Sequence, residues 1–234
     1  MAKEQSGQEG VSGLKVGLIV PVNNTTMARE IVGWLPPASE VEVVRIPRGK
    51  GLITPEVLPA YIQSTLDLAA GMSKGLDVVV YGCTAAGFVA GPEREARLAK
   101  ELQAATGAPV VTTARSMVLA LQDLGARRIA LVSPYSDSVN RALMQFLDED
   151  QIRVEQLASF NVSDVDALGR ITEDEVVDLA RRTMTAECDA MFIACSQSPT
   201  LGVLDMLSSE LGRPVMSSIK ATALQASRVV LPKS

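Results

Sequence analysis

Short apolar segments alternate with amphipathic segments along the whole chain. Eight segments rich in valine, isoleucine, leucine and alanine have the length of a buried strand, and the stretches between them carry helical spacing. The predicted strands are Lys15–Val20, Val41–Ile46, Asp77–Tyr81, Pro109–Thr113, Arg128–Ser133, Ile152–Leu157, Asp189–Ala194 and Pro214–Ser217. Strands that are apolar on both faces are typical of a parallel sheet covered by helices. This order of elements predicts an α/β fold.

Local sequence also predicts where some helices begin and end. Pro92 and Gly107 bound one helix, because proline suits the first helical position and glycine suits the position after the last. Thr172 and Glu175 have the spacing of a capping box, which predicts a helix over Val176–Ala186. With right-handed crossovers, helices of this kind between parallel strands give a doubly wound sheet.

The two halves of the chain share three landmarks in the same order, as expected of a duplicated lobe. The matched segments are Lys15–Pro21 with Arg128–Pro134, Asp77–Cys83 with Asp189–Cys195, and Gly107–Thr113 with Gly212–Ser218. We therefore predict two pseudo-symmetric lobes, each with a four-stranded parallel sheet, and a site in the cleft between them. The predicted boundaries are 1–13 for a disordered tail, 14–114 plus 217–234 for the first lobe, and 115–216 for the second.

Composition excludes several classes of partner and site. The net charge is −5, no basic run is present and only 3% of the residues are aromatic, so nucleic acid is not expected as a partner. No apolar stretch approaches the ~18 residues of a membrane span, so no membrane partner is expected either. The chain has no histidine and three cysteines. This predicts no metal site and no disulfide framework, and it favours a reducing, cytoplasmic location.

Two of the three cysteines occupy equivalent places in the two halves. Cys83 and Cys195 each follow a predicted strand, and small or hydroxyl residues continue each segment as a predicted loop. Ligands bind beyond the carboxyl ends of strands in open α/β sheets, so both thiols are expected to face one cleft. The alternative is that each cysteine is simply a small buried hydrophobe, which suits Cys188 best.

Polar side chains follow two further strand ends. Asn24 lies in the turn after the first strand, where its carboxamide could bind a carboxylate or, alternatively, start a helix over Met27–Leu35. Tyr135 lies in the equivalent turn of the second half and could donate a hydrogen bond to an anion. The glycine-rich segment Arg48–Gly51 predicts a mobile loop at the cleft mouth. No dinucleotide-binding glycine motif follows the first strand, so no such cofactor is expected.

These residues together resemble the Asp/Glu racemase superfamily, and within it the branch of maleate cis-trans isomerase and arylmalonate decarboxylase. The resemblance extends from Lys15 to the C-terminus. It rests on one cysteine per lobe, Asn-Thr-Thr at 24–26, Gly-Cys-Thr at 82–84 and Pro-Tyr at 134–135.

The resemblance implies a cofactor-independent enzyme that acts next to a carboxylate of a small carboxylic or dicarboxylic acid. Cys83 would add to the substrate or abstract a proton, and Cys195 would act as the acid and base. The residues implied to bind substrate are Asn24, Thr84, Tyr135 and Ser196. A homodimer or higher homo-oligomer is the expected assembly, because closed twofold assemblies are the commonest.

The resemblance leaves three functions open. Maleate-type cis-trans isomerisation is favoured because Cys83 stands where the decarboxylases of this branch have glycine. A racemase or arylmalonate-type decarboxylase is the alternative, since Val165 occupies a position at which the isomerase has a carboxylate-binding asparagine. A non-catalytic module that binds a small acid is the third hypothesis.

Overall fold

Eight strands form two parallel sheets in the computed structural model, which describes residues 13–47 and 51–230. The strands are β1 (Lys15–Pro21), β2 (Glu40–Ile46), β3 (Val78–Tyr81), β4 (Val110–Thr112), β5 (Arg128–Ser133), β6 (Arg153–Ser159), β7 (Ala190–Ile193) and β8 (Val215–Ser217). The α-helices are α1 (Met27–Glu30), α2 (Leu58–Ala70), α3 (Thr84–Ala90), α4 (Pro92–Thr106), α5 (Thr113–Asp123), α6 (Asp137–Asp148), α7 (Val165–Leu168), α8 (Glu173–Thr183), α9 (Leu204–Leu211) and α10 (Ser218–Val230). The predicted tail up to residue 12 and three of the four residues of the predicted Arg48–Gly51 loop lie outside the described residues.

The strand order is the same in both sheets. The first sheet has the order β2-β1-β3-β4 and the second β6-β5-β7-β8, with parallel neighbours throughout. An aspartate holds the start of the central strand in each: the Asp77 carboxylate accepts from the Lys15 N–H at 2.7 Å, and the Asp189 carboxylate from the Arg128 N–H at 2.8 Å. The predicted α/β fold with two matching four-stranded sheets is confirmed.

The observed strands agree with the predicted ones to within two residues at each end. The predicted capping box is present, but its helix runs over Glu173–Thr183 and not over 176–186. The helix predicted over Met27–Leu35 ends at Glu30 and continues as a 3-10 turn over Ile31–Gly33. The regular helix that follows β1 is therefore only one turn long. The residues between β1 and this helix include Asn23 and Asn24, which line the cleft.

The segment after Cys83 is a helix, α3, and not the predicted loop. Its alanines favour a helix, and Gly87 allows a close approach to α5, because a Cβ at this position would lie 2.6 Å from that of Ala114. This contact packs α3 against the start of α5, next to the cleft.

Two helices cross from one half of the chain to the other. Met117 and Leu121 of α5 pack in the core of the second sheet, whereas Ile219 and Ala223 of α10 pack in the core of the first. Each lobe is thus completed by a helix that follows the last strand of the other lobe. On this packing we propose lobe boundaries near residues 114 and 217. No described helix is long and apolar enough to cross a membrane.

Phe88 of α3 lies in the core of the second lobe, although α3 belongs to the first half of the chain. Its side chain is 2% exposed. The ring meets Tyr135 edge-on with centroids 6.2 Å apart, and Phe146 of α6 at 5.6 Å. Edge-to-face pairs of this kind add to the burial energy, so this ring is a main apolar contact between the lobes.

We expect Phe88→Ala to lower the free energy of unfolding by about 3–5 kcal/mol, the usual range for removing a buried phenylalanine. Chemical denaturation followed by circular dichroism measures this loss. Leu124→Ala is the control, because Leu124 is 38% exposed and its truncation should cost within about 1 kcal/mol. A loss no larger than that of the control would contradict the described contact between the lobes.

Candidate active site

The carboxyl ends of the central strands of both sheets open onto one pocket. The chain changes direction across each sheet between β1 and β3 and between β5 and β7, the place where ligands bind in open α/β sheets. All six predicted site residues line this pocket: Asn24, Cys83, Thr84, Tyr135, Cys195 and Ser196. Its volume is about 50 Å³. Since one water needs about 10–15 Å³ of such volume, the pocket suits a small acid.

Cys83 lies two residues after the end of β3, as the N-cap of α3, and is 4% exposed. The thiol of Cys83 reaches the pocket because Gly82, which has no side chain, lets the backbone after β3 pass close to β1 and α1. A Cβ on Gly82 would lie 2.7 Å from side-chain atoms of Met27 and Val20. The position of this thiol therefore depends on the packing of three elements of the first lobe.

Cys195 lies beyond β7 in a strained backbone conformation, with φ of 96°. Such a conformation costs a residue other than glycine about 1–3 kcal/mol and persists only where the surroundings fix it. The Cys195 N–H donates to Ser218 Oγ at 3.0 Å, and its carbonyl accepts from the Ser198 N–H at 3.2 Å. Strain of this kind concentrates at functional sites.

The chain segments that carry the two cysteines contact each other directly. The Ser196 hydroxyl donates to the Gly82 carbonyl at 2.7 Å, and the Ser196 N–H donates to Thr84 Oγ1 at 3.3 Å. Each bond joins a residue next to Cys195 to a residue next to Cys83. All three cysteines are among the described residues, and none forms a disulfide. The structure thus brings both predicted thiols into one buried place.

Asn24 links this contact to the first helix. Its Oδ1 accepts from the N–H groups of Thr26 and Met27 at the start of α1, at 3.2 and 3.0 Å, and its Nδ2 donates to Ser196 Oγ at 3.0 Å. Both alternatives considered for Asn24 are therefore compatible, since one Nδ2 hydrogen remains for a ligand. The hydroxyl hydrogen of Ser196 is already donated to Gly82, so substrate binding by Ser196 stays a prediction.

Burial raises the pKa of the Cys195 thiol, because the thiolate loses its hydration. The Gln197 N–H and the Tyr135 hydroxyl act in the opposite direction and lower it, whereas a charge on Cys83 raises it. The pKa of Cys195 is raised overall, so this residue is a thiol near neutral pH and is suited to donate a proton.

Tyr135 directs a buried hydroxyl at the pocket. No described protein group satisfies this hydroxyl with a hydrogen bond of regular geometry, and it lies beside Cys195 and Thr84. Burial and the charge of Cys195 raise the pKa of Tyr135 well above its usual value, so the phenol keeps its hydrogen. Its backbone carbonyl accepts from Asn140 Nδ2 at 2.9 Å, which fixes the turn. The hydroxyl can therefore donate to a bound anion.

The sequence did not indicate two other parts of the pocket. One is Gln197, which is 5% exposed and bonded to the first lobe. The other is an apolar wall from separate parts of the chain, formed by Leu52, Ile53, Val139, Val162 and Leu168. Pocket residues from loops and single helix turns follow no periodic pattern, so the sequence does not reveal them. For Gln197 the one available signal is its position two residues after Cys195.

Val165 is buried as the first residue of α7 and is not among the residues that line the pocket. Val162 and Leu168, on either side of it in sequence, do line it. None of the described residues that line the pocket is a lysine or arginine. Among the described lining residues, an anion bound here would therefore meet only neutral donors.

Comparison with known proteins gives consistent matches over nearly the whole chain. A family model described as arylmalonate decarboxylase matches residues 16–233. Arylmalonate decarboxylase of Bordetella bronchiseptica is 33% identical over 184 residues, 77% of each chain. Maleate isomerase of Geobacillus stearothermophilus is 29% identical over 222 residues, 89% of this chain and 88% of the relative. A Nocardia farcinica maleate cis-trans isomerase structure, a cysteine-to-serine mutant with a covalently bound succinylcysteine intermediate, superimposes with a TM-score of 0.82, 26% identity and 94% coverage of both chains.

We expect Cys195 to react with iodoacetamide more slowly than a model thiol at neutral pH, because only the thiolate reacts and burial raises its pKa. A Cys83→Ser/Cys188→Ser variant isolates this thiol. Its alkylation rate should increase with pH through a midpoint above the usual value of about 8.5. Tyr135→Phe should move the midpoint higher still, because the substitution removes a hydroxyl that lowers the pKa of Cys195. A midpoint below the model thiol's would contradict the assignment of Cys195 as a protonated thiol.

Proposed function

The chain belongs to the arylmalonate decarboxylase family, and from this premise we propose that it is a two-cysteine isomerase that converts maleate-type substrates between cis and trans forms. One observation carries the proposal. Two thiols from equivalent strands of the two lobes lie in one small buried pocket, and the segments that carry them are hydrogen-bonded to each other.

The proposed reaction is an addition followed by an elimination. The Cys83 thiolate forms a bond from Sγ to one alkene carbon, and the electrons of the double bond move to the other carbon, which takes the proton of the Cys195 thiol. The bond between the two carbons is then single and rotates. The Cys195 thiolate removes a proton from the second carbon, the double bond re-forms, and the electrons of the C–S bond return to Cys83.

Neutral donors would stabilise the charge that develops on the carboxylate during the addition. The Tyr135 hydroxyl is buried and makes no regular hydrogen bond to a described protein group, and Asn24 Nδ2 retains one hydrogen beyond its bond to Ser196. Donors that are fixed before the reaction lower the barrier without reorganising during it. Because the pocket is small, the substrate would displace the water that otherwise competes for these donors.

The different surroundings of the thiols support a division of roles. Cys195 is a thiol near neutral pH because burial raises its pKa, which suits the proton donor. A charge on Cys83 raises this pKa further, so ionisation of one sulfur opposes ionisation of the other. We therefore assign nucleophilic addition to Cys83 and acid–base catalysis to Cys195.

Two relatives support the substrate class. The Geobacillus stearothermophilus relative is a maleate isomerase with 29% identity over most of both chains. The Nocardia farcinica structure holds a succinylcysteine intermediate, and a C–S bond of that kind is what addition of Cys83 to maleate would form here. The pocket volume of about 50 Å³ also favours a compact diacid over a bulky one.

We expect the purified chain to convert maleate to fumarate without an added cofactor, followed as a change in ultraviolet absorbance and by chromatography. Cys195→Ser should lose about 10²- to 10⁴-fold in kcat, the usual contribution of an acid–base group. Cys83→Ser should lose at least as much. Incubation of Cys195→Ser with maleate should give a covalent adduct on Cys83, detected by intact mass spectrometry as the mass of one maleic acid.

Cys188→Ser is the matched control, because Cys188 is a buried cysteine outside the pocket. It should retain activity and should not prevent the adduct. Absence of both turnover and adduct with maleate, in a folded protein whose pocket thiols react with a small alkylating agent, would reject maleate as the substrate.

The apolar wall of the pocket favours a second candidate function, proton transfer or decarboxylation on an acid with one apolar substituent. Five aliphatic side chains form this wall, and they offer no donor for a second carboxylate. In this alternative the two thiols would act on opposite faces of the carbon next to the carboxylate.

We expect a panel of acids to separate the two candidates. Racemisation would incorporate deuterium from solvent into a chiral 2-substituted carboxylic acid, and decarboxylation would release carbon dioxide from a disubstituted malonate. Under the primary proposal both rates should be at least about tenfold below maleate turnover, because the small pocket excludes bulky substituents. A larger kcat/KM for a chiral acid or malonate, lost in Cys195→Ser, would favour the second candidate.

A further inference from the structure

Gln197 spans the contact between the lobes with both ends of its side-chain amide. Its Oε1 accepts from the N–H groups of Thr25 and Thr26 at 2.9 and 3.4 Å, and its Nε2 donates to Thr25 Oγ1 at 3.1 Å. The side chain is almost completely buried, so water cannot replace these bonds. A residue of the second lobe is thus bonded to the turn that carries Asn24 in the first.

The main chain of the same residue contacts the reactive sulfur. The Gln197 N–H donates to Cys195 Sγ with the heavy atoms 3.4 Å apart. A hydrogen bond of this kind favours the thiolate over the thiol, because the developing negative charge faces a fixed donor. The side chain of Gln197 therefore contacts the first lobe, whereas its main chain contacts the sulfur in the second.

The turn after Cys195 needs such an anchor. Cys195 is strained at φ of 96°, and the segment 196–200 that follows has no helix or strand of its own. The carboxylate of Glu30 in α1 accepts from the Thr200 N–H at 3.0 Å and holds the far end of this segment. Gln197 holds the near end, next to the sulfur.

We propose that Gln197 is a positioning residue, whose side chain ties the loop of the second lobe to Thr25 and Thr26 so that its main-chain N–H stays directed at Cys195. The inference rests on the proposed function only in taking Cys195 as a reacting group. The residue acts through Cys195 and need not touch the substrate.

The titration of Cys195 tests this inference without any substrate. In the Cys83→Ser/Cys188→Ser background, Gln197→Met keeps the length of the side chain and removes both amide groups. The midpoint of alkylation should rise by about one pH unit, which is about a tenfold lower rate at a fixed pH below the midpoint. Gln63→Met is the matched control, since Gln63 is exposed on α2, where it is bonded to Asp67, and it should leave the midpoint unchanged.

Thr25→Val supplies the second variant, because it removes only the Oγ1 acceptor on the opposite lobe. Thr25→Val should raise the alkylation midpoint of Cys195 by less than Gln197→Met does. In a chain that already carries Gln197→Met, it should add no further rise. In the chain with native cysteines, Gln197→Met should lower kcat about 10- to 100-fold and change KM by less than about threefold.

An unchanged midpoint in folded Gln197→Met would overturn the proposal, and so would strictly additive shifts of the two variants. If Gln197→Met does not fold, an unchanged midpoint in Thr25→Val overturns it. A shifted midpoint in Gln197→Met, together with no turnover of maleate by the unsubstituted chain, would support the positioning role and reject the proposed substrate. The two failures are therefore distinguishable.

Discussion

The hydrogen bonds between Ser196 and the Gly82–Thr84 segment are the contact on which the site depends. They join main chain to side chain across the two lobes, in a place from which water is excluded, where an unsatisfied donor or acceptor costs about 1–3 kcal/mol. This penalty keeps the two strand ends together. The thiols that follow these strands are consequently brought to one pocket before any ligand arrives.

Duplication places the two cysteines equivalently, but the local chain makes them chemically different. Cys83 lies at the start of a helix with a negative φ of −109°. Cys195 lies in a strained turn, with a main-chain N–H and a phenol hydroxyl near its sulfur. The proposed two-cysteine mechanism requires one group that gives a proton while the other donates an electron pair to carbon. Under the proposed function, the different segments that follow two equivalent strands would supply these two roles.

The sequence predicts the scaffold well because apolar strands and their order are encoded locally. The paired aspartates Asp77 and Asp189, which hold the central strands, already appear as matched positions in the two halves. The candidate thiols follow from the same matching, since a strand end fixes where the next residue lies.

Other features of the site arise only from tertiary contacts. The burial of Gln197 depends on two N–H groups in a turn more than 170 residues earlier, and no local pattern encodes that pairing. The sequence does not predict the helix after Cys83, because Gly87 argues against a helix until its contact with Ala114 is known. The apolar wall comes from separate parts of the chain, each with one or two pocket residues, so its members have no common spacing.

The two crossing helices restrict how the cleft can open. The chain passes between the lobes at Thr112–Thr113 and at Ser217–Ser218, where a strand leads directly into α5 or α10. Any hinge motion must bend these two joints, and Ser218 at one of them accepts the hydrogen bond of the Cys195 N–H. Rotation of the lobes about this joint would therefore also act on the main chain of the strained cysteine. The main chain of Cys195 is thus one hydrogen bond away from the joint that connects the lobes.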